Sequence, residues 1–335
     1  MIRIGINGLG RIGRCLFRML FENITPDVEL VAVNGSSSAE LHRHLLENDS
    51  IHGKFGHKIS IGDDGSFEVC GKTVKFFRKQ LPQDIPWSDV EVNLVFECTG
   101  KFNSRELSGY HLKNSVKKVI VSAPVVDADI QVVVGVNEQK ITDSHNIISV
   151  GSCTTNCAAH AVRIMDEEFG IEGGFITTVH AYTNDQNHVD GSHKDFRRAR
   201  ACGLSMIPTT TGASKALEAL FPKLVGKLSA SSIRVPTPNV SAVDFTFASS
   251  SKTTVESING ALHRAATARP DILMALDEPL VSSDFNHTTH SAIFDLLETY
   301  TNKGGSLSRI LAWYDNEWAF AARMIDVSRE LRRFL

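Results

Sequence analysis

The first residues of the chain change from a two-residue to a helical hydrophobic pattern. Isoleucines alternate with polar or small residues over positions 2–6, and glycines follow at Gly8, Gly10 and Gly13. After the glycines, apolar residues recur at three- and four-residue spacing over positions 16–21. This pattern predicts a strand, a glycine turn and an amphipathic helix.

Further strands are predicted where apolar, β-branched runs are bounded by turn residues, at positions 28–34, 92–98 and 118–123. Continuous apolar strands that alternate with helical stretches are typical of a parallel sheet covered on both faces. We therefore expect an α/β architecture in which residues 1–151 form a Rossmann-type, parallel-sheet dinucleotide-binding domain. A helical pattern over residues 317–335 is expected to return to this domain and complete it.

The second half of the chain has longer strand patterns, at positions 175–183, 232–235, 242–247 and 310–314. They predict an α+β catalytic domain over residues 152–316 with a mixed or antiparallel sheet. Between the first two patterns lies a segment, 184–203, that is rich in charge, glycine and asparagine. A stretch of that length without regular structure is usually functional or part of an interface.

Composition narrows the class of protein. The 335-residue chain has 35 Lys and Arg against 38 Asp and Glu, a formal net charge of −3, so no basic excess indicates a nucleic-acid partner. No apolar run reaches the length of a membrane span, and the first residues lack the pattern of a signal peptide. The six cysteines include no CxxC pair and the histidines lack zinc-finger spacing. We expect free thiols, no metal site and a cytoplasmic protein.

Residues 8–13 form a GxGxxG pattern between the first predicted strand and the first helix. Glycines at Gly8 and Gly10 permit a tight turn and the close approach of a pyrophosphate, which the helix N-terminus then attracts with its free N–H groups. In this context the motif indicates a dinucleotide site. The alternative is a glycine-rich turn that binds nothing.

The second predicted strand ends at Asn34, and Gly35 and three serines follow, beginning with Ser36. Dinucleotide sites usually carry an acidic residue near the end of this strand, where it binds the ribose 2′-hydroxyl of NAD. Here no carboxylate occurs before Glu40, so nothing opposes a 2′-phosphate and serine hydroxyls can donate to it. We therefore expect both NADP and NAD to serve as cofactor, with NADP preferred.

A candidate nucleophile lies where an apolar strand pattern gives way to a helical one. Cys153 stands at this junction, and a helix N-terminus stabilises a thiolate, which is the reactive form. His180, in the strand pattern of residues 175–183, is the candidate base because imidazole exchanges protons near neutral pH. Spacing alone leaves open the alternative that His180 is a satisfied core residue.

A series of motifs from position 7 to position 318 resembles the phosphorylating glyceraldehyde-3-phosphate dehydrogenases. In chain order they are NGLGRIGR, SCTTNC, TTVHAYTNDQ, HKDFRRARA, PTTTGASKA, RVPTPNVSAVD and WYDNEW. SCTTNC together with WYDNEW is specific to that family and to its relative, erythrose-4-phosphate dehydrogenase. The resemblance implies the reversible oxidative phosphorylation of D-glyceraldehyde 3-phosphate to 1,3-bisphosphoglycerate, a reaction of glycolysis and gluconeogenesis, with hydride transfer to NAD or NADP.

The resemblance also implies roles for individual residues. Cys153 is similar to the family nucleophile, which forms a thiohemiacetal and then a thioester, and His180 is similar to its base. Positions that match a site for inorganic phosphate or the substrate phosphate are Ser152, Thr154, Thr211 and Gly212. Positions that match the second anion site, which holds the substrate's own phosphate, are Thr183, Asp185 and Arg234. Positions that match cofactor contacts, in addition to the glycines and residues 34–36, are Arg11, Ile12, Arg78, Ser122, Ser192 and Asn316.

The partners implied by the resemblance are the phosphorylated aldehyde, inorganic phosphate and further copies of the chain. Segment 184–203 resembles a loop that reaches a neighbouring subunit's cofactor site, which implies a homotetramer. At position 192 the chain has serine where NAD-using members commonly have proline, which resembles the members that use NADP. No nucleic acid and no membrane is expected as a partner.

Two alternatives remain open. Residues 285–292 look more like the erythrose-4-phosphate enzyme, in which water replaces phosphate as the acyl acceptor, whereas residues 209–212 and 182–185 favour the glyceraldehyde enzyme. The alternative of a different class is a non-catalytic cofactor-binding or adhesion protein. The residues that argue against loss of activity are Cys153, His180, Arg234 and Asn316.

Overall fold

The structure, a computed structural model, describes residues 1–22 and 27–335. Contacts divide the chain into two compact units. The first comprises Met1–Ser152 and Phe320–Leu335, and the second comprises Cys153–Ala319. Each unit contains its own sheet and its own core, and each is described separately below.

The first unit is built on a nine-stranded sheet with a separate two-stranded ribbon. Its strands are β1 (Ile2–Asn7), β2 (Val28–Asn34), β3 (Asn48–Asp49), β4 (Gly53–Lys54), β5 (Ser60–Ile61), β6 (Phe67–Val69), β7 (Lys72–Phe77), β8 (Leu94–Glu97), β9 (Lys118–Val121), β10 (Ile130–Gln131) and β11 (Ile147–Ser149). Its first helices are α1 (Arg11–Glu22), α2 (Ala39–Glu47) and α3 (Arg105–Gly109).

The strand order of the large sheet is β10-β11-β9-β8-β1-β2-β7-β6-β5. Neighbours from β10 to β7 run parallel, and only the edge pairs β7-β6 and β6-β5 run antiparallel. The order reverses at β1, which has β8 on one side and β2 on the other. This is the doubly wound, parallel sheet that the apolar runs predict, and its strands carry buried residues on both faces.

The glycine turn sets the start of α1. Gly8 has a φ of +99°, a conformation that favours glycine, and α1 begins at Arg11. A Cβ atom on Gly13 would overlap the carbonyl oxygen of Gly8. The third glycine is therefore required for the first turn of the helix to pack against the loop that precedes it. In the next crossover, the Ser38 hydroxyl caps α2 by accepting a hydrogen bond from the N–H of Leu41 at 3.3 Å.

The second unit contains a seven-stranded mixed sheet in the order β13-β14-β12-β15-β18-β17-β16. Its strands are β12 (Ile171–Ala181), β13 (Ile207–Thr209), β14 (Leu228–Val235), β15 (Ser241–Ser249), β16 (Leu273–Leu276), β17 (Ala292–Thr301) and β18 (Leu307–Tyr314). Its helices are α4 (Cys153–Phe169), α5 (Ala213–Leu220) and α6 (Val255–Ala268). The pairs β12-β14 and β16-β17 are parallel and the remaining pairs are antiparallel.

Helix α4 packs on the middle of this sheet, against β12, β15, β17 and β18. Along β12, the buried Ile176, Thr178 and His180 alternate with the exposed Phe175 and Val179. Because successive side chains of a strand point to opposite faces, one face of the sheet is covered and the other carries exposed apolar residues. The chain between β12 and β13 contains no helix or strand, as residues 184–203 led us to expect.

The last helix, α7 (Trp318–Glu330), starts in the second unit and continues in the first, where a short 3-10 turn, Leu331–Phe334, follows it. Among residues 1–22 and 27–335, no helix combines the length and the apolar content that crossing a bilayer would require.

Candidate active site

The first unit has a cavity of about 960 Å³ at the carboxyl ends of β1, β2 and β8. In a doubly wound sheet, ligands bind at this edge, next to the strand where the order reverses. The residues predicted to contact the cofactor that line this cavity are Gly8, Gly10, Asn34, Gly35, Ser36 and Arg78.

The glycine turn leaves room for a ligand on one side only. A Cβ atom on Gly8 would lie 2.8 Å from the backbone nitrogen of Thr99, so the turn already touches the end of β8. A Cβ atom on Gly10 would have no protein atom within 4 Å. The space over Gly10, beside the first N–H groups of α1, therefore fits the pyrophosphate of a dinucleotide.

Polar side chains at the base of the cavity form a buried hydrogen-bond network. The Glu97 carboxylate is 1% exposed and accepts from the Asn7 amide at 2.6 Å, while its Oε2 lies 3.0 Å from His111 Nε2. Trp87 Nε1 donates to His111 Nδ1 at 3.0 Å, so the proton of this imidazole lies on Nε2. Asn34 Nδ2 in turn donates to Asn7 Oδ1 at 2.8 Å. The network fixes the two asparagines that face the ligand.

Three predicted cofactor residues of the first unit do not line this cavity: Arg11, Ile12 and Ser122. Arg11 forms a bidentate ion pair with Asp49, with Nη2 donating to Oδ1 at 3.0 Å. Because its guanidinium is paired with Asp49, Arg11 can contact a cofactor only through its backbone at the start of α1. The thiol of Cys98 is hydrogen-bonded to Ser122.

The second unit brings the predicted nucleophile and base into contact. Cys153 is the first residue of α4, and His180 is the penultimate residue of β12. Cys153 Sγ lies 3.4 Å from His180 Nε2, and His180 is 5% exposed. The backbone carbonyl of Ala181 is 2.7 Å from His180 Nδ1 and can accept its proton. That tautomer leaves the Nε2 lone pair directed at the thiol, as a general base requires.

Arg234 lies on the other side of the same imidazole. It stands directly opposite His180 in the parallel register of β12 and β14. Its Nη1 is 2.6 Å from His180 Nδ1 and donates to the Ala181 carbonyl at 3.1 Å. Because a guanidinium can only donate, its contact with Nδ1 favours the opposite tautomer. The position of the Arg234 side chain therefore influences which nitrogen of His180 carries the proton.

The surroundings favour a neutral pair in the free protein. Burial raises the pKa of the Cys153 thiol, while the charge of Arg234 and hydrogen bonds from Thr154 act to lower it. Burial and then the Arg234 charge lower the pKa of His180 to about 3. Burial thus opposes the thiolate form that the N–H groups of the first turn of α4 favour.

Two residues that the sequence analysis missed support this pair. Tyr314, which is 1% exposed, ends β18, and its hydroxyl is 2.8 Å from Thr154 Oγ1, while its ring packs edge-on at 6.2 Å from the His180 ring. The Ser241 hydroxyl accepts from the N–H of Ala181 at 3.1 Å and donates to Asn316 Oδ1 at 2.9 Å. Tyr314 lies within the WYDNEW motif, but its partners come from distant parts of the chain.

The second anion site is only partly assembled by the predicted residues. Thr183 and Asp185 lie just beyond β12, and the N–H of Thr183 donates to Gln186 Oε1 at 3.2 Å. Asp185 forms an ion pair with Arg198, a residue that the sequence analysis did not select. The charges of both Arg198 and Asp185 influence the pKa of Arg234, which burial lowers first of all. Arg198 is thus close enough to contribute a second cation beside Arg234.

The other predicted phosphate residues lie at helix starts. Thr154 is the second residue of α4, and Ser152 directly precedes that helix. Thr211 Oγ1 accepts a hydrogen bond at 3.2 Å from the N–H of Ala213, the first residue of α5, and Gly212 between them is the N-cap of that helix. Helix α5 packs against α4. Ser192 lies in the segment between β12 and β13, and Asn316, 7% exposed, follows β18.

A thiol in contact with an imidazole, beside a half-buried arginine, can form and break a covalent bond to a carbonyl carbon. A dinucleotide cradle in the same chain adds a hydride acceptor. The fold and the two sites together fit the class of nicotinamide-dependent dehydrogenases that act on an aldehyde.

Comparisons with known proteins agree with this class. Residues 2–105 match the family model for the glyceraldehyde 3-phosphate dehydrogenase NAD binding domain, and residues 152–316 match the model for the C-terminal domain of the same enzyme. Glyceraldehyde-3-phosphate dehydrogenase 2 of Bacillus subtilis (strain 168) is 46% identical over 98% of this chain and 96% of its own. The Cereibacter sphaeroides glyceraldehyde-3-phosphate dehydrogenase is 45% identical over 100% and 99%, and that of Geobacillus stearothermophilus 44% over 98% and 97%.

The chain belongs to the glyceraldehyde-3-phosphate dehydrogenase family. It is an oxidoreductase that uses a nicotinamide dinucleotide and carries out the oxidative phosphorylation of glyceraldehyde 3-phosphate. The family and reaction expected from the motifs are confirmed, and the erythrose-4-phosphate alternative is not favoured.

Proposed function

We propose that Cys153 and His180 carry the chemistry of this reaction. The observation that carries the proposal is the 3.4 Å contact between Cys153 Sγ and His180 Nε2 at the first residue of α4. His180 takes the thiol proton as the sulfur adds to the aldehyde carbon. The oxyanion of the resulting thiohemiacetal receives hydrogen bonds from the Cys153 N–H and the protonated His180, which then gives its proton to this oxygen and becomes neutral again. The pair then holds the acyl group as a thioester on Cys153.

Two proton movements at His180 complete the cycle. His180 takes the hydroxyl proton as the carbonyl of the thioester forms, and a nicotinamide held by the first unit would supply the acceptor for the hydride that leaves the thiohemiacetal carbon. An oxygen of inorganic phosphate then forms a bond to the thioester carbon, and the carbon–sulfur bond breaks. His180 returns a proton to the departing Cys153 sulfur, which restores the thiol and releases the acyl phosphate.

Two groups of residues are proposed to hold the phosphates. Arg234 and Thr183 bind the phosphate carried by the substrate, and the Asp185 carboxylate, which has no proton to donate, positions Arg198 as a second cation. The residues proposed for inorganic phosphate lie at the starts of α4 and α5: Ser152, Thr154, Thr211 and Gly212. Hydroxyl and N–H donors at helix N-termini suit an anion that must arrive and leave in each turnover. The proposed nicotinamide contact is Asn316, which Ser241 orients.

For the cofactor, we propose that the enzyme uses both NADP and NAD and prefers NADP. Gly35 brings no carboxylate to the end of β2, and the Ser36 side chain is exposed at the cavity. Arg78, which also lines the cavity, donates from Nε to the Ser36 carbonyl at 3.3 Å and adds positive charge there. Neutral donors with one guanidinium nearby favour a 2′-phosphate over a bare hydroxyl. Ser192 is proposed to add a donor from a neighbouring subunit.

The test of this preference is the ratio of kcat/KM for NADP to kcat/KM for NAD, measured at saturating glyceraldehyde 3-phosphate and phosphate. We expect a ratio above one. A wild-type enzyme whose kcat/KM is at least tenfold higher with NAD would contradict the proposal. Such a ratio means that the enzyme favours NAD over NADP by about 1.4 kcal/mol.

We further propose a homotetramer in the cytoplasm. The uncovered face of the second unit's sheet carries exposed Phe175 and Val179, and the segment between β12 and β13 exposes Phe196 (87%) and Leu204 (88%). Burying such residues against further copies removes apolar surface from water. All six cysteines are free thiols, which suits a reducing compartment. Sedimentation equilibrium should give four times the mass of the chain, and a monomer at micromolar concentration would contradict the assembly.

Cofactor binding and covalent chemistry are proposed to lie in different units of the chain. We infer that residues 1–151, completed by 317–335, bind the dinucleotide, and that residues 152–316 carry the covalent chemistry. The cavity of the first unit and the Cys153–His180 pair of the second support this division.

A further inference from the structure

His42 occupies the space beside Gly35 in the dinucleotide cavity. A Cβ atom on Gly35 would overlap His42 Nε2 and would lie 2.7 Å from His42 Cδ2. No side chain can therefore be added at position 35 unless the imidazole moves. A carboxylate at the end of β2, which would select against a 2′-phosphate, has no room while His42 keeps its place.

The His42 ring is fixed by its surroundings. It is 6% exposed, it packs against Phe76 with 5.8 Å between ring centroids, and it lies on α2. The backbone N–H of Ser37 donates to His42 Nε2 at 3.2 Å. Burial, and after it the charges of Arg14 and Arg78, lower the pKa of His42. The imidazole is therefore neutral, and its Nε2 lone pair is available to the Ser37 N–H.

The same contact holds the turn that carries the serines. The N–H of Gly35 donates to the Phe77 carbonyl at 3.0 Å, Arg78 Nε donates to the Ser36 carbonyl at 3.3 Å, and the Ser37 N–H is taken by His42. With the backbone bonded in this way, the Ser36 and Ser37 hydroxyls make no hydrogen bond to any residue of ranges 1–22 and 27–335. They remain available to an oxyanion bound in the cavity.

We propose that His42 determines specificity at the adenosine ribose. Its imidazole fills the volume next to Gly35 and braces the turn at Ser36 and Ser37, so that the cavity is shaped for a 2′-phosphate. A carboxylate introduced at position 35 cannot by itself make the site prefer NAD. It occupies the volume of the His42 imidazole, so it must displace that ring before it can reach the ribose hydroxyl. This inference rests on the preference for NADP proposed above, and it adds the residue that imposes it.

The experiment is a double-mutant cycle on the full-length enzyme in its native oligomeric state. The proteins are the wild type, Gly35→Asp, His42→Leu and the combination of both changes. Isothermal titration calorimetry measures the Kd of ADP-ribose and of 2′-phospho-ADP-ribose, which lack the nicotinamide and undergo no turnover. His44→Leu is the matched control, because His44 lies on the same helix with its side chain exposed. Thermal melting of each protein, with the fast alkylation of Cys153, reports folding independently.

The two changes should be strongly coupled. Gly35→Asp alone should weaken both ligands by about tenfold or more, since the carboxylate and the imidazole compete for one volume. His42→Leu alone should weaken 2′-phospho-ADP-ribose by about three- to tenfold and leave ADP-ribose nearly unchanged, because the serine turn loses its brace. The combined variant should recover ADP-ribose binding to within about threefold of wild type while 2′-phospho-ADP-ribose stays weak.

Two results would overturn the role of His42. One is a Gly35→Asp enzyme that binds ADP-ribose as tightly as the combined variant, which would mean that the two side chains do not compete. The other is a His42→Leu enzyme with wild-type affinity for 2′-phospho-ADP-ribose. The wild-type ratio of the two affinities tests the NADP preference itself, so failure of that proposal is distinguishable from failure of this one.

Discussion

Replacing Arg234 with leucine should separate phosphate recognition from the chemistry of the thiol. The change removes a guanidinium that lies 2.6 Å from His180 Nδ1 and that we propose binds the substrate phosphate. A hydrogen bond to a charged group is worth about 1.5–3 kcal/mol, which corresponds to about 10- to 150-fold in kcat/KM for glyceraldehyde 3-phosphate. With unphosphorylated glyceraldehyde the loss in kcat/KM should be smaller, because that substrate never used the phosphate contact and feels only the effect of Arg234 on the Cys153–His180 pair.

The same variant should alter the titration of Cys153 in a definite direction. The Arg234 charge lowers the pKa of the Cys153 thiol, so its removal raises that pKa. The rate of alkylation by iodoacetamide should then rise with pH along a curve shifted to higher pH in Arg234→Leu. A merely structural arginine would not produce this shift together with the difference between the two substrates.

The assay is steady-state kinetics with both aldehydes, accompanied by the pH profile of alkylation. Arg264→Leu is the control, because that arginine is exposed on α6 and pairs with Glu168. It should leave both substrates and the alkylation profile unchanged. Equal losses of kcat/KM on the two aldehydes in Arg234→Leu, with an unshifted alkylation profile, would refute the reasoning.

Three further predictions concern other parts of the molecule. Iodoacetamide at neutral pH should modify Cys153 first and abolish turnover, because His180 Nε2 lies 3.4 Å from its sulfur and can take the thiol proton, whereas Cys157 is fully buried and burial raises its pKa well above the usual value; peptide mapping that finds Cys157 modified first, with activity retained, would contradict this. Gly13→Ala should weaken ADP-ribose binding and lower thermal stability, since the new Cβ overlaps a carbonyl oxygen of the glycine turn; calorimetry that shows wild-type affinity would contradict it. Asp49→Asn should cost about 1.5–3 kcal/mol in the free energy of unfolding at pH 7. Burial acts to raise the pKa of Asp49, but hydrogen bonds from Arg11 and from two backbone N–H groups prevail and lower it. The stability that Asp49 contributes is therefore present above its unfolded-state pKa of about 4 and is lost as the pH falls through its lower folded-state pKa. Urea titrations of the wild type and Asp49→Asn should converge in acid, and a constant gap would contradict the assignment.

Local patterns in the sequence predicted the elements that carry the sites. The alternation over residues 2–6 and the glycines after it correspond to β1, the turn and α1, and the strand expected at 28–34 is β2 with those bounds. These features depend on side-chain periodicity and on the steric needs of a turn, both of which act over a few residues. The strand expected at 92–98 is shorter, Leu94–Glu97.

Partners that are distant along the chain could not be predicted in the same way. Arg234 reaches His180 through the register of two parallel strands, and Tyr314 meets Thr154 across 160 positions. The pairing of Arg11 with Asp49 depends on β3, the short strand that follows α2, and no periodic signal in the sequence marks it. Such contacts follow from how strands are ordered in the sheet, which the hydrophobic pattern leaves open.

The effect of burial on the pKa of the nucleophile could not be predicted from the sequence either. A helix N-terminus at Cys153 indicated that a thiolate is stabilised there, whereas the burial that opposes the charged form is visible only in the structure. Likewise, the sequence showed that Gly35 brings no carboxylate, whereas only the structure shows that His42 fills the adjoining space. Both are effects of packing, which determines how much water reaches a group and how much volume is left beside it.

The measurement that tests the account most directly is the fate of the acyl group on Cys153. The enzyme is mixed with glyceraldehyde 3-phosphate and NADP without phosphate, and intact-protein mass spectrometry is combined with the absorbance of reduced cofactor. We predict a burst of one reduced cofactor per chain and a phosphoglyceryl adduct that maps to Cys153, which disappears when inorganic phosphate is added and never forms in Cys153→Ser. Turnover without any adduct, or an adduct on another residue, would contradict the central role of the Cys153–His180 pair.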